Sequence, residues 1–87
     1  MKVIQRVLKT TGGLIRADYG IQDERLREVR FSGDFFCYPP DSVRRFESIL
    51  DGKALTEIPG VVENFYRDQP VEIPGVTAQD WLELLRD

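Results

Sequence analysis

Histidine is absent from this 87-residue chain. That removes both the commonest general base at neutral pH and the commonest metal ligand. Cysteine occurs once, at Cys37, which excludes an internal disulfide framework and a cysteine-built zinc cage. A Ser-His or Cys-His mechanism run by this chain alone is excluded with them. No apolar run approaches the roughly 20 residues needed to cross a bilayer, and Met1 to Arg6 lacks the apolar stretch of a signal peptide. The expectation is a cytoplasmic protein with no membrane contact. A clustered basic face is missing too. Residues 1–45 carry nine basic and six acidic groups, and residues 46–87 carry three and nine, for a net charge of −3. Arg25, Arg27 and Arg30 are interleaved with Glu24 and Glu28, so the pattern excludes a nucleic-acid partner.

What is present describes one small domain over residues 1–87, because single cores take up about 100 residues and shorter chains rarely divide. Val3 to Leu8 is rich in β-branched residues, and Gly12-Gly13 marks a turn. In Leu14 to Tyr19, the residues Ile15, Ala17 and Tyr19 form one apolar face and Arg16 and Asp18 the other, the pattern of a half-buried strand. A polar connection over Gly20 to Glu24 leads to a third run, Arg25 to Phe36. There Arg27, Val29 and Phe31 alternate with Glu28, Arg30 and Ser32. Pro39-Pro40 ends the sheet.

Helices follow. Asp41 or Ser42 can cap one that buries Val43, Phe46, Ile49 and Leu50 and turns Arg44, Arg45, Glu47 and Ser48 to water, with Gly52 as its C′ residue. A second runs from Val61 to Tyr66, burying Val62 with Phe65 or Tyr66. A third is opened by the capping box Thr77-Ala78-Gln79-Asp80 and buries Trp81, Leu82 and Leu85. Strands followed by helices give an α+β fold, a small antiparallel three-stranded sheet with about three helices packed on one face. The pentapeptide Glu57-Ile58-Pro59-Gly60-Val61 recurs as Glu72-Ile73-Pro74-Gly75-Val76, read as a reused turn-into-helix device anchored by its isoleucine.

Candidate chemistry is sparse. Gly12-Gly13 is followed by no Lys-Ser/Thr pair, so a tight turn is favoured over a phosphate cradle. Cys37, flanked by Phe35, Phe36 and Tyr38, reads either as a small buried hydrophobe or as a sulfur-accepting thiol, which needs a nearby cation or helix N-terminus. Asp34 is expected to close the turn toward Pro39-Pro40 by accepting backbone N–H groups. Alternation sends Phe35 and Phe36 to opposite faces. Either both faces are covered, or one aromatic is left to meet a partner protein.

Gly12-Gly13-Leu14-Ile15, then Val29-Arg30-Phe31-Ser32-Gly33-Asp34-Phe35-Phe36, then Pro39-Pro40, resemble the C-terminal accessory domain of lipoate–protein ligases. Leu50-Asp51-Gly52 resembles that family's helix end, and Gly75-Val76-Thr77 through Leu85 its closing helix. The match covers most of the chain, and its specificity rests on Gly33-Asp34-Phe35-Phe36 in order with the rest. The resemblance implies a fold similar to the sulfur-acceptor and iron–sulfur scaffold proteins. It also implies a role in ATP- and magnesium-dependent activation of lipoate to lipoyl-adenylate, before transfer to a lysine of a lipoyl-carrier domain. In that family the catalytic lysine and nucleotide loops belong to a larger domain, which this sequence lacks. The expectation is therefore a non-catalytic subunit in a heterodimer with a separate catalytic subunit, as in the two-subunit ligases of some archaea. ATP, magnesium and lipoate would be held by that partner, and no catalytic, cofactor or metal residue is assigned to this chain. Gly33, Asp34, Phe35 and Phe36 are its structural or interface candidates, and a sulfur acceptor or scaffold using Cys37 is the alternative.

Overall fold

The first hairpin shows how the sheet is set. β1 (Lys2–Thr10) and β2 (Gly13–Gln22) pair antiparallel without interruption, from Lys2 opposite Ile21 to Thr10 opposite Gly13. Thr10 fastens the turn, its hydroxyl donating to the Gly13 carbonyl at 2.6 Å. β3 (Arg25–Gly33) joins the far side of β2, so the sheet order is β1-β2-β3. The structure, a computed structural model, describes residues 1–68 and 70–86.

The polar connection expected at Gly20 to Glu24 shrinks to two residues. Asp23 and Glu24 both have positive φ, 53° and 60°, the turn geometry that matches strand twist. The third strand also departs from simple alternation. Register shifts between Asp18, opposite Arg30, and Gly20, opposite Arg27. Two residues of β3, Glu28 and Val29, therefore face the single residue Tyr19, which is a β-bulge. Glu28 takes a φ of 53° there. The bulge reverses the phase of the strand, so Leu26 and Val29, three residues apart, are both buried, and Arg27, which simple alternation groups with Val29 and Phe31, is only half-buried.

Three α-helices, α1 (Ser42–Leu50), α2 (Ile58–Asp68) and α3 (Ala78–Leu85), build the other layer. A short 3₁₀ turn over Leu55–Glu57 leads into α2. Ile15, Ala17, Tyr19, Leu26, Val29 and Phe31 from the sheet meet Phe46, Leu50, Val62, Phe65, Trp81, Leu84 and Leu85 from the helices in one core. Trp81 is fully buried at its centre. Its ring lies 4.8 Å from Phe31 and 5.3 Å from Phe46, and its indole N–H donates to the Tyr66 hydroxyl at 2.6 Å. Burying one such aromatic contributes about 1.5–3 kcal/mol. No helix of the described residues is long and apolar enough to cross a membrane.

Helix α3 obeys its capping signal: the Asp80 amide donates to Thr77 Oγ1 at 3.2 Å and the Thr77 amide to Asp80 Oδ2 at 2.8 Å. Gly52 ends α1 at a φ of +84°, as expected of a C′ glycine. On α1, however, Ile49 is exposed and Glu47 does not simply face water. Glu47 Oε2 accepts the Phe31 amide at 2.7 Å, and Asp51 Oδ1 accepts the Glu28 amide at 3.1 Å. With the Leu26 amide on the Lys53 carbonyl at 2.9 Å and the Gly52 amide on the Leu26 carbonyl at 2.7 Å, α1 and its C-terminal turn close the outer edge of β3. Side-chain carboxylates here take the place of a fourth strand.

The repeated pentapeptide does not repeat its backbone. In the first copy Ile58-Pro59-Gly60-Val61 is already the first turn of α2, where proline is tolerated because the N–H it lacks has no helical partner. In the second, Ile73 to Val76 forms a turn closed by the Val76 amide on the Ile73 carbonyl at 3.1 Å, with Gly75 at a φ of +78°. Only the anchor is shared, since Ile58 and Ile73 are both buried. The expected turn-into-helix device is thus corrected to one buried isoleucine in two conformations, chosen by what each copy packs against.

Candidate protein-interaction site

Three backbone segments converge at the end of the sheet where β3 stops, and glycine is what lets them meet. A Cβ on Gly33, whose φ is +140°, would fall 2.1 Å from the Leu14 carbonyl oxygen. On Gly13 it would fall 1.7 Å from the Asp34 carbonyl oxygen, and on Gly12 2.0 Å from that of Pro74. Real Cβ atoms essentially never approach within 3.0 Å, so a side chain at any of the three requires backbone to move. The Asp34 amide bonds the Leu14 carbonyl at 2.9 Å, and the Gly12 amide bonds the Gly75 carbonyl at 3.0 Å. Gly12-Gly13 and Gly33 are therefore one feature, a close crossing of the hairpin turn, the end of β3 and the turn before α3.

β3 ends at Gly33 and not at Phe36, because past that point the chain leaves β2 and finds another partner. Tyr38 exchanges both of its backbone hydrogen bonds with Glu72, each at 2.8 Å. Between Gly33 and this bridge the residues alternate. Phe35 packs on the core, its ring 6.1 Å from Trp81, and Cys37 is half-buried on the same cluster. Phe36 and Tyr38 stand outward, 81% and 69% exposed. Of the two expected arrangements the structure has the one that leaves an aromatic outside: Phe35 is covered and Phe36 is not. Tyr38 was not singled out from sequence, although its place two residues beyond Phe36 gave the signal.

Asp34 does not act as expected. Its carboxylate is exposed and accepts no hydrogen bond among the described residues. Its backbone N–H bonds the Leu14 carbonyl at 2.9 Å, where β3 leaves β2, and the segment toward Pro39-Pro40 is held instead by the bridge between Tyr38 and Glu72. The Cys37 thiol donates to the Pro40 carbonyl at 3.4 Å, and Arg45, on the first turn of α1, lies 3.6 Å from Asp41.

The rest of the surface offers little acid–base chemistry. Among the described residues no three Cys, Asp or Glu side chains gather closely enough to hold a metal ion. The Tyr66 hydroxyl is pushed above its usual value of 10.0 by burial. The hydrogen bond from Trp81 opposes that shift and the nearby Asp80 charge adds to it. Arg30 and Arg44 border an open groove between β3 and α1 with Val43 and Glu47. The Arg30 guanidinium donates to the Val29 carbonyl at 2.8 Å and the Glu47 carboxylate already serves Phe31, so these polar groups are occupied by the fold. Exposed aromatics on a braced backbone have the character of a protein contact, since large rigid side chains bury area at little cost in conformational entropy.

No family model matches the chain. A curated relative, lipoate-protein ligase A subunit 2 of Thermoplasma acidophilum, is 37% identical over 78 residues, which are 90% of this chain and 82% of the relative. Among solved structures, a chain from a study of an archaeal lipoylation system, a bi-partite lipoate protein ligase and its E2 lipoyl domain from the same organism, superposes with a TM-score of 0.91. That match covers 98% of this chain and 96% of the other at 33% identity. The fold is thus shared with a chain of that bi-partite system along nearly its whole length, and the chain belongs to the family of lipoate–protein ligase A subunit 2.

Proposed function

We propose that this chain is the accessory subunit of a two-part lipoate–protein ligase and works as a heterodimer with a separate catalytic subunit. The observation that carries the reading is the near end-to-end likeness to a second ligase subunit, 37% identical in sequence, and to a chain of a bi-partite ligase system. In this reading the partner holds ATP, magnesium and lipoate and forms lipoyl-adenylate, which then modifies a lysine on a lipoyl-carrier domain. The two subunits meet in the cytoplasm. This chain supplies no reacting group. Docked as a cap it excludes water from a charged adenylate and completes the geometry of the site, an effect on preorganisation and not on bond chemistry.

Phe36 and Tyr38 are the contact residues we assign to this docking. Gly33 and the Asp34 amide fix where the two rings project, and Phe35 on Trp81 holds the segment from beneath. The test is ATP-dependent lipoylation of a carrier domain by the catalytic subunit, measured with and without this chain. The reading predicts that lipoylation requires both. Equal lipoylation by the catalytic subunit alone would end it.

A further inference from the structure

The two edges of the sheet are treated differently. The outer edge of β3 is closed by α1, through the Glu47 and Asp51 carboxylates and the backbone of Gly52 and Lys53. The outer edge of β1 is not. The sheet order places β2 on one side of β1 and no strand on the other. Among the described residues, no backbone group outside β2 bonds the main chain of β1. In an antiparallel edge strand every second residue turns its N–H and C=O away from its neighbour, so Val3, Gln5, Val7 and Lys9 present a row of donors and acceptors along the outer edge. Such a row is a template for another strand, and proteins ordinarily blunt it. A row of this kind recognises extended backbone.

The side chains say what kind of strand fits. Val3 and Val7 are 74% and 60% exposed on the face away from the helices, and Leu14, opposite Lys9 on β2, is exposed beside them. An incoming strand would therefore place apolar residues at alternate positions. β1 itself carries Lys2, Arg6 and Lys9 and no acidic residue. Pairing with a second copy of β1 would bring six cations onto two adjacent strands, and like charges across a pair are destabilising. Charge therefore argues against a homodimer through this edge and for a strand that carries carboxylates. The position is also continuous with the proposed contact. Leu14 lies across from Lys9 while its carbonyl holds the Asp34 amide at 2.9 Å, two residues from Phe36.

We infer that the outer edge of β1 receives an extended segment of the catalytic ligase subunit, acidic with alternating apolar residues, which adds a fourth strand to the sheet. The inference rests on the two-subunit reading and names the partner's mode of binding. The test follows amide exchange by NMR on this chain, isotope-labelled, free and saturated with the unlabelled catalytic subunit. Alternate residues of β1 should slow by tenfold or more in the complex, while the inward-bonded residues between them change less. Val7→Glu, at an exposed site, should weaken the complex at least tenfold with the fold intact by circular dichroism, and Val7→Thr should bind within about threefold of the parent. A complex that forms with β1 exchange unchanged overturns the inference and leaves the subunit reading standing. So does Val7→Glu binding at parental affinity. Failure of any complex to form overturns both.

Discussion

Replacing Gly33 and Gly60 by alanine, one at a time, should move stability in opposite directions. At Gly33 the new methyl would sit 2.1 Å from the Leu14 carbonyl oxygen, where ordinary contact begins at 3.4 Å. Relief requires more than an ångström of backbone movement, which breaks the 2.9 Å bond from the Asp34 amide to that same oxygen. A residue held in a rarely populated φ/ψ region costs about 1–3 kcal/mol, and a lost hydrogen bond about 1 kcal/mol. Gly33→Ala should therefore cost about 2–4 kcal/mol. A domain of this size holds roughly 4–13 kcal/mol in total at ~0.05–0.15 kcal/mol per residue, so the loss is a large share. Gly60, within α2, has nothing within 4 Å of its would-be Cβ. Gly60→Ala should gain up to about 0.5 kcal/mol, since alanine's advantage of about 0.5–1 kcal/mol over glycine in a helix interior is reduced in the first turn. Urea denaturation followed by Trp81 fluorescence gives both values, provided the slopes agree. A Gly33→Ala variant within 0.5 kcal/mol (roughly one hydrogen bond's lower bound) of the parent would refute the account of the glycine crossing. A Gly60→Ala variant as damaged as Gly33→Ala would refute it equally.

Glu47→Ala should cost about 1–3 kcal/mol, because it strands the Phe31 amide at the closed sheet edge, and Glu47→Gln, which keeps an acceptor, should recover most of it in the same urea assay. The raised pKa of Tyr66 means the folded state holds its proton more tightly than the unfolded chain. That contribution is complete below pH 10, the unfolded value, and fades as pH rises through the folded one. Tyr66→Phe should therefore flatten the alkaline fall in stability, measured by urea titrations above pH 9, while losing about 1 kcal/mol at neutral pH with the Trp81 hydrogen bond. Phe36→Ala and Tyr38→Ala should each leave the thermal midpoint nearly unchanged and weaken heterodimer formation about tenfold or more, the scale of an interface anchor, by titration calorimetry. Cys37→Ser should support lipoylation as well as the parent. A persulfide on Cys37 that is lost with activity in the variant would favour the sulfur-acceptor role instead.

The layer order, the three strands and the capped third helix were legible because each rests on local signals: a period of two, a proline stop, a capping box. The rest depended on pairs distant in sequence. Nothing local announces the bulge at Glu28, which breaks the alternation read along β3 and whose amide is held by Asp51 on another element. Glu47 looked like a solvent residue on its helix wheel, since its partner Phe31 is sixteen residues away. The pentapeptide shows the limit most directly. Identical residues begin a helix at Ile58 and a turn at Ile73, because only the second copy meets Gly12. At the proposed contact, alternation correctly separated Phe35 from Phe36, while Asp34 closes no turn toward Pro39-Pro40: its amide pairs with Leu14 and its carboxylate stays in solvent.

The most direct measurement separates adenylation from transfer. Lipoyl-adenylate formation by the catalytic subunit, followed as pyrophosphate release in a single turnover, should depend on this chain. Transfer from pre-formed lipoyl-adenylate to a carrier domain should proceed without it. Adenylate formation at the same rate in its absence would contradict the account.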